Sequence, residues 1–113
     1  MSRLHLLYDV WMEDRELLKW VAPWPALLRH AAQQSGATVL AEQFHQFEPH
    51  GVTGVLLLSE SHISVHTWPE EGLAVLDLFT CGSADMARVV GWLREQLCPY
   101  QESLTTVERG RTT

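Results

Sequence analysis

The sequence contains three successive β-strand patterns that are separated by connections of only a few residues. They cover residues 52–58, 62–68 and 73–80, and a turn-forming segment, 69–72, lies between the second and the third. Parallel neighbouring strands need a crossover of about a dozen residues or more, whereas antiparallel neighbours can be joined by a short turn. The middle of the chain therefore predicts an antiparallel sheet.

Further strand and helix patterns flank this segment. Alternating apolar residues predict additional strands over 4–9, 37–47 and 101–108. Helical spacing predicts one helix over 24–34 and another after Gly82, with Ser83 as its N-cap, while prolines interrupt a shorter helical segment at 14–20. Because two helices can cover one face of a sheet, we expect an α+β fold: a two-layer sandwich whose antiparallel sheet carries its helices on one face.

Two central strand patterns lack a continuous polar face. Apolar residues occupy consecutive positions at 56–58 and, apart from Asp77, at 75–79. Strands that are buried on both faces show such near-continuous apolar runs. Since the helices are expected on one face of the sheet only, we expect a second copy of the chain to cover the other face, which would make the protein a homodimer.

Length and composition favour a single domain, residues 1–113. The 113 residues are 46% hydrophobic and include five tryptophans, which is enough for one core. The formal net charge is −6, and the eight lysines and arginines are scattered over the chain, which argues against a nucleic-acid-binding surface. A small cationic ligand suits this charge better.

No segment of the sequence has the features of a membrane anchor or an export signal. Apolar runs stay below the roughly 18 to 20 residues of a membrane-spanning helix, and the first residues lack the basic and apolar stretches of a signal peptide. Cys81 and Cys98 are too few for a disulfide scaffold and form no CxxC pair. We therefore expect a cytoplasmic protein with reduced thiols.

Reactive side chains are concentrated in residues 56–70, which read LLLSESHISVHTWPE. The apolar run meets two serines, a glutamate and a histidine without a turn residue, and strand alternation then resumes with Ser64 and His66 on one side. Hydroxyl, acid and imidazole groups in half-buried extended chain cost free energy unless they are hydrogen-bonded or take part in chemistry. We therefore place the candidate catalytic residues in this stretch.

The motif SESHISVHTWPE, followed by DLFTCG, resembles the sequence of bacterial and archaeal S-adenosylmethionine decarboxylase proenzymes. GVTGVLLL, FHQF, GATV and HLL resemble the same family at matching spacing, so the resemblance covers nearly the whole chain. It implies that the chain cuts its own backbone between Glu60 and Ser61 and converts the serine into a covalent pyruvoyl group. The products would be residues 1–60 and 61–113, held together in one sheet.

The resemblance also implies a decarboxylation that these residue types can support. Loss of CO2 from an amino acid leaves a carbanion, and a pyruvoyl group that forms a Schiff base with the substrate amine is an electron sink that no ordinary side chain provides. Making it requires attack of the Ser61 hydroxyl on the Glu60 carbonyl, followed by β-elimination and hydrolysis. By resemblance, His66 is the base, Thr53 supports the intermediate, and Cys81 protonates the substrate carbanion.

Three further residues match positions that surround the adenosine part of the substrate in this family: Phe47, Trp68 and Glu70. Aromatic faces suit adenine, and a carboxylate can accept hydrogen bonds from both ribose hydroxyls. The implied reaction is decarboxylation of S-adenosylmethionine for polyamine (spermidine) biosynthesis. The first strand departs from the family, because HLLYDVWME stands where HLLAEFYGC is common and Asp9 replaces a glutamate, so Asp9 is a fourth candidate substrate-binding residue. Ornithine and arginine, substrates of related pyruvoyl enzymes that also carry about one positive charge, stay open as alternatives.

A non-catalytic metal-binding or interaction domain is the alternative from another class. Its candidate residues are His45, His50, His62, His66 and Cys81. They follow no zinc-finger spacing, and His62 and His66, which would share a face on a helix, lie in strand-like sequence. We therefore expect no metal site.

Overall fold

The computed structural model of the protein describes residues 3–81 and 85–110. Its elements are β1 (Arg3–Trp11), α1 (Glu16–Lys19), α2 (Trp24–Gln34), β2 (Val39–Gln46), β3 (Val52–Leu58), β4 (Ser61–Trp68), β5 (Leu73–Cys81), α3 (Met86–Leu97) and β6 (Gln101–Arg109). A 3₁₀ turn, Pro69–Glu71, connects β4 to β5. The order of strands and helices agrees with the order predicted from the sequence.

In the described part of the chain, six strands form one antiparallel sheet in the order β2-β3-β4-β5-β1-β6. Strands β2 to β5 are neighbours in both sequence and space, whereas β1 lies between β5 and β6 and pairs with both. Helices α2 and α3 pack against each other on one face of this sheet. The predicted two-layer α+β sandwich with an antiparallel sheet is therefore confirmed.

The core lies between the sheet and the helices. In β4, for example, Ile63, Val65 and Thr67 are buried, and the residues between them point to the other face. The helices contribute the fully buried residues Trp24, Leu28, Ala31, Val89 and Leu93. Burial of one large apolar side chain contributes about 1.5 to 3 kcal/mol, so this layer is the main source of folding free energy.

The ends of the helices differ in detail from the prediction. Ser83, the predicted N-cap of α3, lies outside the described residues. Within them, Asp85 caps this helix, because its Oδ1 accepts a hydrogen bond from Arg88 N at 3.3 Å. The predicted helical segment 14–20 is reduced to the four residues of α1. None of the helices in the described ranges is long and apolar enough to cross a membrane.

The second face of the sheet, which we call the open face, carries no helix from the described residues. Part of it is polar: Ser64 Oγ donates to Asp77 Oδ2 at 3.1 Å, and His5 Nε2 lies 2.9 Å from Asp77 Oδ1. Apolar side chains on this face that remain more than a third exposed include Leu7, Val55 and Leu57. The cover that we predicted for this face, a second copy of the chain, stays a prediction.

Candidate active site

The predicted catalytic residues separate into two groups at opposite ends of β4. Ser61 is the first residue of this strand, and His66 lies near its far end. At about 3.3 Å per residue, their Cα atoms are about 16 Å apart. Within one protomer, the structure therefore does not bring the predicted nucleophile and the predicted base together.

The far end of β4 lines a cavity of about 230 Å³, which we call the His66 pocket. Its lining residues come from β3, β4, the loop before β3 and the turn after β4: Phe47, His50, Gly51, Thr53, His66, Thr67, Trp68, Pro69 and Glu70. Three of the four predicted substrate-binding residues, Phe47, Trp68 and Glu70, are thus brought together with Thr53 and His66, whereas Asp9 does not line this pocket.

Thr53 and His66 are direct cross-strand partners on β3 and β4, and both lie on the open face. Thr53 Oγ1 is 2.9 Å from His66 Nδ1, a hydrogen-bonding distance. The Trp68 ring lies next to the imidazole, with 6.2 Å between the ring centroids. Thr53 engages Nδ1 and so orients the imidazole, and Nε2 can accept a proton in the tautomer in which Nδ1–H donates to Thr53 Oγ1.

The near end of β4 begins with a two-residue turn, because Leu58 pairs with Ser61 and only Ser59 and Glu60 lie between them. Glu60 has a φ of +63°, in the left-handed region that costs a non-glycine residue about 1 to 3 kcal/mol. Cys81 Sγ lies 4.0 Å from Glu60 Oε2, and Ser61 and Cys81 line the same cavity of about 180 Å³. This Ser61 pocket therefore combines the predicted cleavage site with the predicted proton donor.

The altered first strand contributes to neither pocket. Asp9 lies on the open face and pairs with Val75, which in turn pairs with His66, so Asp9 is two strands and about 10 Å from the His66 strand. Tyr8 points to the opposite side, into the core. Burial, with a smaller contribution from the Glu102 carboxylate, raises the pKa of Tyr8 to about 12. Of Tyr8 and Asp9, only Asp9 faces the surface that carries Thr53 and His66.

His50 is a pocket residue that the sequence did not assign to a substrate site. It lines the His66 pocket, and its Nδ1 is buried without a hydrogen-bond partner among the described residues. The available signal was its place beside Phe47 in a loop that contains Pro49 and Gly51. A histidine in a turn is usually a surface residue, so this signal alone does not indicate a site.

The histidines of the metal-binding alternative are spread over the sheet. The His62 ring contacts the rings of His5 and Phe79, and the His45 ring packs edge-on against Phe47 at 4.6 Å between centroids. Among the residues that the structure describes, no three His, Cys, Asp or Glu side chains are arranged to hold a metal ion. That alternative therefore has no candidate centre in this part of the chain.

Sequence comparison finds relatives over most of the chain. The family model described as S-adenosylmethionine decarboxylase matches residues 4–110. The S-adenosylmethionine decarboxylase proenzyme of Aquifex aeolicus is 42% identical over 108 residues, which cover 95% of this chain and 80% of that protein. The proenzyme of the same name from Methanococcus aeolicus is 39% identical over 107 residues, which cover 94% of this chain and 92% of that protein.

Structural comparison gives the same result. The crystal structure of the adenosylmethionine decarboxylase from Aquifex aeolicus superimposes with a TM-score of 0.89 at 37% sequence identity, covering 99% of this chain and 93% of that chain. The fold thus places the protein in the structural class of this decarboxylase. The family model and the curated relatives are more specific: the chain belongs to the S-adenosylmethionine decarboxylase family, which confirms the resemblance seen in the sequence.

Proposed function

We propose that the protein is a self-processing, pyruvoyl-dependent decarboxylase that converts S-adenosylmethionine to S-adenosylmethioninamine and CO2, as a cytoplasmic step of polyamine biosynthesis. Family membership supports the decarboxylase activity, and the curated relatives are named proenzymes. The observation that carries the self-processing part is the turn before β4, where Glu60 is left-handed and Ser61 follows it.

Cleavage of the bond between Glu60 and Ser61 would leave the sheet assembled. Residues 1–60 retain β1, β2 and β3, and residues 61–113 retain the other three strands. The two parts stay joined because β1 pairs with β5 and β6, and β3 pairs with β4. Opening the turn relieves about 1 to 3 kcal/mol of strain at Glu60 while the interstrand hydrogen bonds remain. The backbone can therefore be cut at this position without unfolding.

The residues of the two pockets have separate roles in this proposal. The Ser61 hydroxyl attacks the Glu60 carbonyl carbon, and the bond from that carbon to the Ser61 nitrogen breaks to give an ester. Removal of the Ser61 α-proton then expels the Glu60 carboxylate and leaves a dehydroalanine, which water hydrolyses to the pyruvoyl group and ammonia. His66, whose Nδ1 is 2.9 Å from Thr53 Oγ1, takes the α-proton through Nε2. The pyruvoyl group formed from Ser61 supplies the electron sink for decarboxylation, and Cys81 donates a proton to the substrate carbon that has lost CO2.

A homodimer is part of the proposal because His66 is about 16 Å from Ser61 along β4 of the same protomer. A second copy can pack against the open face so that the twofold axis that relates the two copies lies in their interface, perpendicular to the strands. This arrangement reverses the direction of β4, so the Ser61 end of one protomer lies over the His66 end of its partner. The same contact would cover Val55 and Leu57, which are 39% and 52% exposed in the protomer.

The His66 pocket has the residue types that suit the nucleoside part of S-adenosylmethionine. Phe47 and Trp68 line it and are 45% and 39% exposed, so aromatic surface remains for stacking on adenine. The Glu70 carboxylate can accept hydrogen bonds from the ribose hydroxyls, and a net charge of −6 suits a cationic substrate. Ornithine and arginine contain no base, so these residues favour the adenosyl substrate.

Intact-mass spectrometry of three purified proteins tests self-processing. The wild-type chain should appear as two masses that correspond to residues 1–60 with an ordinary carboxyl end and residues 61–113 with a pyruvoyl end. Ser61→Ala should remain one uncut chain without decarboxylase activity, because the hydroxyl is missing. Ser59→Ala, which removes the other hydroxyl of the same segment, should be cut normally. An uncut wild-type chain, or a cut Ser61→Ala chain, would contradict the proposal.

A further inference from the structure

The short helix α1 anchors residues of the His66 pocket through its carbonyl groups. The last four carbonyl groups of a helix have no intrahelical partners, so the carbonyl groups of the four-residue helix α1 are available to accept hydrogen bonds from elsewhere. Leu18 O accepts a hydrogen bond from Thr67 Oγ1 at 2.7 Å. Lys19 O accepts one from Gly51 N at 3.0 Å and one from Gln46 Nε2 at 2.7 Å. Thr67 and Gly51 line the pocket, but Gln46 does not.

Gln46, the last residue of β2, forms hydrogen bonds through both the oxygen and the nitrogen of its half-buried side-chain amide. Its Oε1 accepts a hydrogen bond from Val21 N at 2.8 Å. Besides donating to Lys19 O, its Nε2 lies 3.1 Å from Gly51 O and 3.2 Å from Phe47 O. Phe47 N also donates to Gly51 O at 2.9 Å, which closes the loop between these residues. The Gln46 side chain thus links the connection between α1 and α2 to both ends of the loop 47–51.

We propose that Gln46 is a positioning residue for the nucleoside-binding wall of the His66 pocket, an inference that rests on the function proposed above. The loop that Gln46 holds presents Phe47 and His50 to the cavity. Only an amide suits this place, because the side chain must accept from a peptide N–H and donate to carbonyl oxygens. Without it, the ring of Phe47 is no longer fixed for stacking, which weakens binding of substrate and transition state alike.

Kinetics of Gln46→Leu and Gln33→Leu provide the test. Gln33 lies on the exposed side of α2, so the second variant is a matched control for the same chemical change. KM and kcat for S-adenosylmethionine, and the inhibition constant of adenosine, are measured on fully cleaved protein. Gln46→Leu should raise KM and the adenosine inhibition constant about fivefold or more, with kcat within about twofold of the wild type. Gln33→Leu should change none of the three.

An unchanged adenosine inhibition constant in Gln46→Leu overturns the proposal, and so does a reduced kcat at wild-type KM. If Gln46→Leu does not fold, the KM of the Gln46→Glu variant tests the proposal instead. This variant keeps the acceptor for Val21 N but loses the donors to the carbonyl oxygens, so KM should still rise, and a wild-type KM would contradict the assignment. Failure of the wild-type protein to decarboxylate S-adenosylmethionine counts against the proposed function instead, and calorimetry with adenosine then tests Gln46 without turnover.

Discussion

Trp68 is the residue whose substitution tests which substrate the protein uses. It lies at the end of β4, is 39% exposed, and lines the His66 pocket. Loss of a stacking partner for a base costs on the order of 1 to 3 kcal/mol. Trp68→Ala should therefore lower kcat/KM for S-adenosylmethionine about tenfold or more, whereas Trp68→Phe should retain most of it. Release of CO2 from S-adenosylmethionine, ornithine and arginine, each given separately, measures the effect.

The control for this prediction is Tyr100→Ala. Tyr100 is an aromatic residue that is 61% exposed and lies outside the His66 pocket, so its loss should leave kcat/KM unchanged. Faster CO2 release from ornithine or arginine by the wild-type enzyme would contradict the assigned substrate. If Asp9→Ala then abolished that preference, the altered first strand would be the specificity element, and Phe47 and Trp68 would not be.

At the scale of residues, the sequence predicted which residues belong to the candidate site better than it predicted where they lie relative to one another. The motif from Ser61 to His66 is compact in sequence, but an extended strand separates its ends by about 16 Å. The left-handed conformation of Glu60 could not be predicted, because glutamate has no preference for positive φ. His50 escaped assignment because only the folded loop turns it towards the cavity.

At the scale of elements, the pairing of β2 with β3 depends on a glycine. Gly54 of β3 is the cross-strand partner of Phe44 on β2 and is buried on the helix face of the sheet. A Cβ placed on Gly54 would lie 2.2 Å from Phe44 Cδ1, closer than two carbon atoms can approach. The phenyl ring therefore occupies the space above the glycine backbone, as aromatic residues do when they cover a strand glycine.

Gly54→Ala should lower the free energy of unfolding by about 1 to 3 kcal/mol, because Phe44 must leave its place in the packed layer. Gly91→Ala is the matched control. Gly91 lies within α3, and apart from the helix's own backbone no atom approaches an added Cβ within 4 Å. Alanine should therefore raise the free energy of unfolding by about 0.5 to 1 kcal/mol through its higher helix propensity.

Urea unfolding measures both glycine variants in the uncut Ser61→Ala chain, where unfolding does not separate two fragments. The two substitutions should shift the midpoint in opposite directions. A Gly54→Ala chain as stable as its parent would show that Phe44 does not need the space above the glycine, and would contradict the packing described for β2 and β3.

Strand periodicity predicted the strands of the described sheet but not their order. The hairpins from β2 to β5 follow from short connections, which are visible in the sequence. The position of β1 between β5 and β6 joins opposite ends of the chain, for example Leu7 with Asp77 and with Thr105. Local alternation tells which residues share a face, but it contains no information about which distant strand supplies the partner.

At the scale of the whole molecule, two observations lead to the same assembly. The open face leaves Val55 and Leu57 exposed, and the described part of the protomer has no helix to cover them. The Ser61 pocket and the His66 pocket lie at opposite ends of one strand, so each would hold half of the proposed machinery. A twofold dimer through the open face would cover the apolar residues and bring the Ser61 end of each β4 to the His66 end of its partner.

Mixed dimers of two inactive chains test this arrangement. The Ser61→Ala chain cannot be cut but retains His66, and the His66→Ala chain retains Ser61. Alone, neither should be processed at the normal rate. When the two are co-expressed in equal amounts, about half of the His66→Ala chains should be cut, because half of them pair with a partner that supplies the imidazole. Intact-mass spectrometry distinguishes the chains and their fragments.

The control replaces the complementing partner with a chain that carries both Ser61→Ala and His66→Ala. It forms dimers of the same size, but no pocket then combines a serine with an imidazole, so the His66→Ala chain should stay uncut. If each site were contained in one protomer, the His66→Ala chain would remain uncut with either partner, which would contradict the shared site. Sedimentation provides an independent check, since a lone unit of 12.9 kDa at micromolar concentration would exclude the dimer on which complementation depends.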